Sequence, residues 1–431
     1  MKEQERAETT LQHPATIETP ADNHPLLFPI YQNVKWETET VAETLRVYRG
    51  ERPGFFYSRA SNPTVRQLEQ LLASLQGREE CITTASGVNV IAQTLLALTQ
   101  SGDHVLFFVE GYGPTRHIIR SLLARFGVSH TMLSIEDLDG VRALLSSRPV
   151  KVMFFESPTN PVNKIADIVA LTSMAREFGV MTVIDNTSAG FHQHGEFDID
   201  LYLHSLTKFT TGVGDVMGGA VIGDRAIIDR LRHDFGLFGA QLDPLSASLM
   251  VRGLKTYLLR YREQSARALA IAQFLEAHPA CARVRYPGLS SHRGVELARR
   301  QMRDFGCVIT LDVVAGAEAG RQFAERLRYF AMTPSFGSTE SLVMPPQLMQ
   351  PKDLDAEDRD KSDIHASTVR LSIGLRRLRI SKPISLRHSR PDERPRRSPC
   401  LAHWVGRDNR RRERGLTESH YPDSRSCAAY R

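Results

Sequence analysis

A lysine, Lys208, stands in the run His204-Ser205-Leu206-Thr207-Lys208-Phe209, just after the apolar stretch at residues 199–203. An aspartate, Asp185, closes a second strand-like run, Val180-Met181-Thr182-Val183-Ile184. An amine at one strand end and a carboxylate at another, with hydroxyls at Ser205 and Thr207, suit one chemistry. The amine can condense with an aldehyde. The carboxylate can keep a heteroaromatic nitrogen protonated, so that the ring withdraws electrons. The hydroxyls can bind phosphate oxygens. The set fits pyridoxal 5'-phosphate. A lysine after Ser-x-Thr is by itself usually a surface lysine, so its neighbours must carry the reading.

Two further stretches could serve a phosphate. Ser86-Gly87-Val88 lies between the strand-like Cys81-Ile82-Thr83 and a helix, where backbone N–H groups and a positive dipole end meet an anion. Such a turn is also commonly a plain helix cap. Tyr57-Ser58-Arg59-Ala60-Ser61-Asn62-Pro63-Thr64 supplies a phenol and a guanidinium, the latter matched to phosphate geometry. Its bland counterpart is an exposed loop with a capping residue.

These residues need a scaffold. Short apolar runs at 104–109, 150–155, 180–184, 201–203 and 219–222 predict strands. Between them, 88–98, 115–126, 135–145 and 168–178 have helical spacing. The alternation predicts an α/β fold with a mostly parallel sheet flanked by helices. Ligands on such sheets bind outside the carboxyl ends of the strands. Tyr112, the 156–160 segment, Asp185 and Lys208 all fall just after predicted strands, which points to one site. A helix is expected after Thr64, with Thr64 as its cap and Gln67 completing a capping box. A long helix over 257–277, a strand over 308–313 and a helix over 317–327 predict a smaller α/β C-terminal domain. The expected divisions are an arm and intersubunit segment 1–60, a large cofactor-binding domain 61–255, a small domain 256–375 and a tail 376–431.

The 431 residues are 41% hydrophobic and 24% charged, ordinary for a globular protein. No apolar run approaches the roughly 18 residues of a membrane span, and the polar first 25 residues lack a secretory core. A cytoplasmic protein without membrane partners is expected. Five cysteines at scattered positions suggest free thiols rather than a disulfide framework or a metal site. His192 and His194 have no further ligand cluster beside them, so no metal is expected. The net charge of +6 resides in the tail: residues 376–431 hold 15 Arg and Lys382 against six acids, a net +10, which leaves −4 for the rest. The tail lacks aromatic interleaving, and nucleic-acid binding is not expected of it.

The chain resembles the Cys/Met-metabolism family of pyridoxal phosphate enzymes, which includes cystathionine synthases and lyases, O-acylhomoserine sulfhydrylases and methionine γ-lyase. The likeness spans residues 25–375. It is carried by Tyr57-Ser-Arg-x-x-Asn-Pro-Thr64, Ser86-Gly87, Tyr112-Gly113, Glu156-Ser-Pro-Thr-Asn-Pro161, Asp185-Asn-Thr187, His204-Ser-x-Thr-Lys-Phe209, Glu340-Ser-Leu342 and Arg370-Leu-Ser-Ile-Gly-Leu375. It implies a fold-type I transferase. It implies that Lys208 carries the cofactor and moves protons, that Asp185 pairs with the ring nitrogen, and that Tyr112 stacks on the ring and assists proton transfer. Ser86, Gly87, Val88, Ser205 and Thr207 would hold the phosphate. Tyr57 and Arg59 would reach the phosphate of a neighbouring subunit, in a homodimer that shares its sites within a homotetramer. Asn160, Ser335 and Arg370 would bind an amino-acid substrate, Arg370 through the α-carboxylate. The implied reaction makes or breaks a C–S bond at the γ or β carbon, nearest to cystathionine γ-synthase or γ-lyase. Cystathionine β-lyase and O-acylhomoserine sulfhydrylase are the alternatives.

Four departures from the family pattern are expected to surround the substrate pocket: Val88, Gly212-Val213-Gly214-Asp215, Gly337-Ser338-Thr339 and Met344-Pro345-Pro346. A fifth is the tail. Arginine-rich sequence stands where the family continues with an acidic amphipathic helix, as a disordered or frameshifted ending would. A chain so ended could also be an inactive or poorly folded homologue.

Overall fold

The computed structural model describes residues 25–376. The arm through residue 24 and the basic tail from residue 377, with the expectations attached to them, lie outside the described residues.

Two sheets organise the chain. The first comprises β1 Glu80–Thr84, β2 His104–Phe108, β3 Ser129–Leu133, β4 Val152–Glu156, β5 Met181–Asp185, β6 Leu201–Ser205 and β7 Gly219–Gly223. Their order is β1-β7-β6-β5-β4-β2-β3. From β3 to β6 the strands are parallel, and β7 is antiparallel to both β6 and β1. Both faces are covered. In β2 and β4, Leu106, Phe108, Met153 and Phe155 enter one apolar cluster. The alternate residues Val105, Phe107, Val152 and Phe154 enter another. A strand that is apolar on both faces is what a buried parallel sheet requires.

The second sheet holds β8 Cys281–Arg285, β9 Val308–Val313, β10 Phe330–Met332, β11 Ser341–Met344 and β12 Thr368–Ser372, in the order β10-β11-β12-β9-β8. Only its β10–β11 pair is parallel. The helices Tyr257–Glu276 and Gly316–Arg326 pack on it through Ile271, Leu275, Phe323 and Ala324.

Two helix expectations change. The helix Pro63–Gln76 is capped by Asn62, whose side chain accepts the Thr64 N–H at 3.0 Å, with Pro63 in the first turn. Proline suits that position because its missing N–H would have no helical partner there. Thr64 instead ties down the arm: its hydroxyl accepts the Tyr31 N–H and donates to the Pro29 carbonyl. The single helix expected over 115–126 is a composite of α-turn Gly113–His117, π-turn Ile118–Leu122 and 3₁₀-turn Leu123–Phe126. Ile118, Ile119 and Leu123 are all buried, and the Leu123 N–H donates to the Ile118 carbonyl, the i→i+5 bond of a π-turn.

Candidate active site

The carboxyl ends of β2, β4, β5 and β6 open into a chamber of about 780 Å³. Its lining gathers Ser86, Gly87, Val88, Tyr112, Asn160, Asp185, Ser205, Thr207, Lys208, Ser335 and Arg370. Eleven expected site residues from seven separate stretches of sequence thus meet in one place. Tyr57 and Arg59 do not join them. Tyr57 is 41% exposed, and Arg59 Nη1 donates to the Gly236 carbonyl at 2.8 Å beside a different, much smaller cavity.

Asp185 is oriented before any ligand arrives. Its Oδ1 accepts the Thr187 N–H at 3.1 Å and the Thr187 hydroxyl at 2.5 Å. The same hydroxyl oxygen accepts the Ser205 N–H at 2.8 Å, which links the ends of β5 and β6. Burial raises the Asp185 carboxyl above its ordinary range, partly offset by Thr187 and by the Lys208 ammonium. Lys208 shifts the other way. Burial, and then the like charge of Arg370, hold its amine below the ordinary lysine value. Among the described residues Lys208 makes no ion pair. Its Nζ lies 5.4 Å from the centroid of the Phe336 ring, and Arg370 Cζ lies 5.8 Å from the same centroid.

Helix Gly87–Leu98 starts at the chamber, with Ser86 as its cap. Its first N–H groups lack helical acceptors and suit a phosphate. Gly87 is required there: a Cβ would fall 2.7 Å from Ser205 Cβ. This close approach of glycine, serine and helix end makes a cradle that any side chain would fill, so the residues present fit a phosphorylated cofactor. Ser205, Thr207 and the first turn of the helix would hold its phosphate, and Asp185 its ring nitrogen.

Across the chamber, Arg370 on β12 is 6% exposed. Its Nη1 donates to Asn160 Oδ1 at 2.9 Å and its Nη2 to the Ser335 carbonyl at 2.8 Å. Its Nε has no protein partner. Ser335 adopts φ 95°, a conformation costly for a residue with a Cβ, and thereby turns its carbonyl to the guanidinium. The small sheet thus delivers one oriented cation to the large sheet's strand ends.

Glu156 was a strand-end motif residue without an assigned role, and its carboxylate joins two parts of the site. One oxygen accepts the Tyr112 N–H at 2.6 Å and the other the Asn160 N–H at 3.2 Å. Strand register sets it beside Asp185. Burial and that neighbour push its carboxyl above the ordinary range. Its position at the end of β4 was the available sequence signal. Phe336 and the segment 347–353, also in the lining, gave none. Of the four departures, Val88 and Met344 line the chamber. The other two meet each other: the Thr339 N–H donates to the Gly212 carbonyl at 2.6 Å, bracing the turn after Lys208.

A parallel sheet whose strand ends present a desolvated lysine, an oriented aspartate and a phosphate cradle defines a pyridoxal phosphate-dependent enzyme of fold type I. Residues 9–379 match the model of the Cys/Met metabolism PLP-dependent enzymes, and the chain belongs to that family. It is 37% identical over 354 residues to L-methionine gamma-lyase of Pseudomonas putida, covering 81% of this chain and 89% of that one. It is 36% identical over 338 residues to O-succinylhomoserine sulfhydrylase of Pseudomonas aeruginosa, covering 78% and 84%. Among solved structures, cystathionine gamma synthase of Xanthomonas oryzae pv. oryzae in complex with cystathionine superposes with a TM-score of 0.77 at 30% identity, covering 83% and 91%. The cofactor of this protein is therefore pyridoxal phosphate, and its substrate is an amino acid.

Proposed function

We propose that this protein carries out γ-carbon C–S chemistry on a sulfur amino acid or its homoserine-derived precursor, in the manner of a cystathionine γ-synthase or γ-lyase. The observation that carries this is the convergence of Lys208, Asp185 and Arg370 on one chamber whose far wall is apolar, with Met217, Met344, Leu348 and Met349. Arg370 and Asn160 bind the α-carboxylate, which turns the side chain toward that wall. When bound, pyridoxal phosphate supplies an electron sink for charge at the α-carbon. Lys208, neutral at lower pH than a free lysine, takes the α-proton. γ chemistry also removes a β-proton, and the same amine is placed to receive it. Tyr112 keeps its phenolic proton, since burial and then Asp185 raise its pKa, and from the chamber lining it would serve as a proton donor beside the cofactor.

The relatives divide between γ-elimination and γ-replacement, and product analysis separates the two. With L-cystathionine, γ-elimination gives cysteine, 2-oxobutanoate and ammonia, whereas β-elimination gives homocysteine, pyruvate and ammonia. With O-succinyl-L-homoserine and a thiol, γ-replacement gives a thioether and succinate. We expect 2-oxobutanoate or thioether. Pyruvate alone overturns the γ assignment in favour of the β-lyase.

We further propose a homodimer with shared sites, paired into a homotetramer and acting in the cytoplasm. Tyr57 and Arg59 stand outside their own chain's chamber, next to an arm that exposes Leu27, Ile30 and Val34. The free thiols Cys81, Cys281 and Cys307 suit a reducing compartment. Among the described residues no helix is long and apolar enough to cross a membrane. Mixing Arg59→Ala with Lys208→Ala protein should restore activity in heterodimers. Mixed dimers no more active than either parent would exclude site sharing.

A further inference from the structure

The chamber's outer wall is the segment from Met344 to Asp353, at the end of β11 and in the turn Pro346–Met349 that follows it. It belongs to the small sheet: Gln350 Nε2 donates to the His365 carbonyl at 2.8 Å. Two ties join it to the large sheet's side. One is a small apolar cluster of Val162, Met349 and Ile364, with Met344 packed against it. Apolar contact is non-directional and fixes no angle. The other is a fork of hydrogen bonds.

Arg116 is 5% exposed. Its Nε donates to Asp353 Oδ2 at 2.8 Å and its Nη2 to Asp353 Oδ1 at 2.7 Å. Its Nη1 donates to the carbonyls of Val109 and Gly111, the turn that presents Tyr112. One helical turn on, Arg120 Nη1 donates to the Asp353 backbone carbonyl at 2.8 Å. A guanidinium held on all three nitrogens has one orientation. It therefore fixes the Tyr112 turn and the outer wall relative to each other. The pairing also neutralises Arg116, although that residue lines the chamber.

We propose that Arg116 and Asp353 form an interdomain clasp that positions the 344–353 wall against the substrate side chain, and so determines which side-chain lengths the enzyme accepts. The proposal rests on the amino-acid reading of the chamber. The clasp acts through the wall and through Tyr112; both members are positioning residues.

Glycine and L-norleucine are the probes, with binding to the holoenzyme read from the absorbance of the bound cofactor. Both carry the α-amino and α-carboxylate groups, and only norleucine has a chain that reaches the wall. Asp353→Asn keeps the shape and loses the charged fork. It should weaken norleucine by about tenfold and glycine by less than about twofold. Asp353→Glu, which keeps a carboxylate, should recover part of the norleucine affinity. Arg116→Lys keeps the charge without the fork and should resemble Asp353→Asn. Equal weakening of both probes, or an unchanged ratio in Asp353→Asn, overturns the proposal. Hydrogen exchange of residues 344–354 and 110–117 reads the clasp without any amino acid. Asp353→Asn should speed exchange in both segments together, and unchanged protection refutes the clasp. A wild type that responds to neither probe refutes instead the amino-acid reading of the chamber.

Discussion

Two clusters of acids and bases border the large sheet, and they are built on opposite electrostatic plans. At the outer edge, Glu69 and Glu80 face Arg66, Arg225 and Arg232. Arg66 lies 2.6 Å from Glu69 and 3.1 Å from Glu80, Arg225 lies 2.7 Å from Glu80, and Arg232 lies 3.2 Å from Glu80. Although burial opposes charge, the arginines hold the Glu80 carboxyl below its ordinary range, and the two glutamates raise Arg66. Glu80 and Arg66 therefore stay ionised over the whole neutral range. In the chamber the trend reverses. Burial lowers Lys208 and Arg370 and raises Asp185 and Glu156. Their partners are hydroxyls, amides, a carbonyl and a ring face rather than opposite charges. The first cluster is satisfied within the chain and holds β1 to its neighbours. The second is left for a ligand to complete, and one that carries a phosphate, a basic ring nitrogen and an aldehyde would fit it. Acids and bases whose pKa values are driven toward each other mark the place where protons move.

The largest test of this contrast is at Lys208. Lys208→Ala should lower turnover by at least about three orders of magnitude, since it removes the group proposed to transfer the proton. Borohydride reduction of the holoenzyme and peptide mapping checks it: pyridoxyl label on another lysine sinks the assignment. At the edge cluster the effect should fall on stability instead. Glu69→Gln leaves three arginines around Glu80 and should cost about 3 kcal/mol, the low end for a broken buried pair because the guanidiniums are partly solvated. Chemical denaturation measures it, and cofactor binding should survive.

Arg370→Ala should raise KM for the amino acid by about 100-fold, as expected of lost charged hydrogen bonds, and leave cofactor content unchanged. Loss of the cofactor as well would show that Arg370 serves the whole chamber. Glu156→Gln gives up one of the two amide contacts and should weaken cofactor binding by about fivefold, the worth of one hydrogen bond, as measured by titration of the apoprotein.

The two clusters should also respond oppositely to pH. Glu80, held low, contributes stability above the ordinary carboxylate range and loses it as pH falls through its folded value. Glu156, held high, binds a proton more tightly folded than unfolded, so its ionisation costs stability as pH rises above that range. Melting of the apoprotein across pH should therefore decline less with rising pH in Glu156→Gln than in the wild type. A steeper decline would reverse the assigned sign. The smallest effect concerns cofactor capture. Its rate in the apoprotein should titrate below the ordinary lysine pKa, and Arg370→Gln should move that midpoint upward by removing a like charge.

Much of the site was legible in the chain because its parts sit at strand ends, and strand ends follow from apolar periodicity. Asp185 and Glu156 terminate β5 and β4, and Lys208 follows β6 by three residues. The helix cap was misplaced by two residues because proline and threonine obscured the asparagine before them. β3, a sheet edge with residues only partly buried, and the three-residue β10 have too little apolar alternation to be read. Met344-Pro345-Pro346 marked the start of the wall, but its continuation over 347–353 has no period at all, and neither that stretch's place at the chamber nor the pairing of Arg116 with Asp353, 237 positions apart, could be read from local sequence.

By itself the sequence determined the chemistry: an amine, a carboxylate and phosphate-binding groups ordered along an α/β alternation, with eight short motifs that define the family. Residue type and local spacing suffice for that, because each motif is built within one strand–loop–helix unit. The tertiary structure decided how the groups act on one another. It lowered Lys208 by burying it near Arg370, joined Tyr112 to Asn160 through Glu156, and set the small sheet's wall over the chamber through Arg116 and Asp353. Desolvation and contacts between residues distant along the chain exist only once the two sheets have packed.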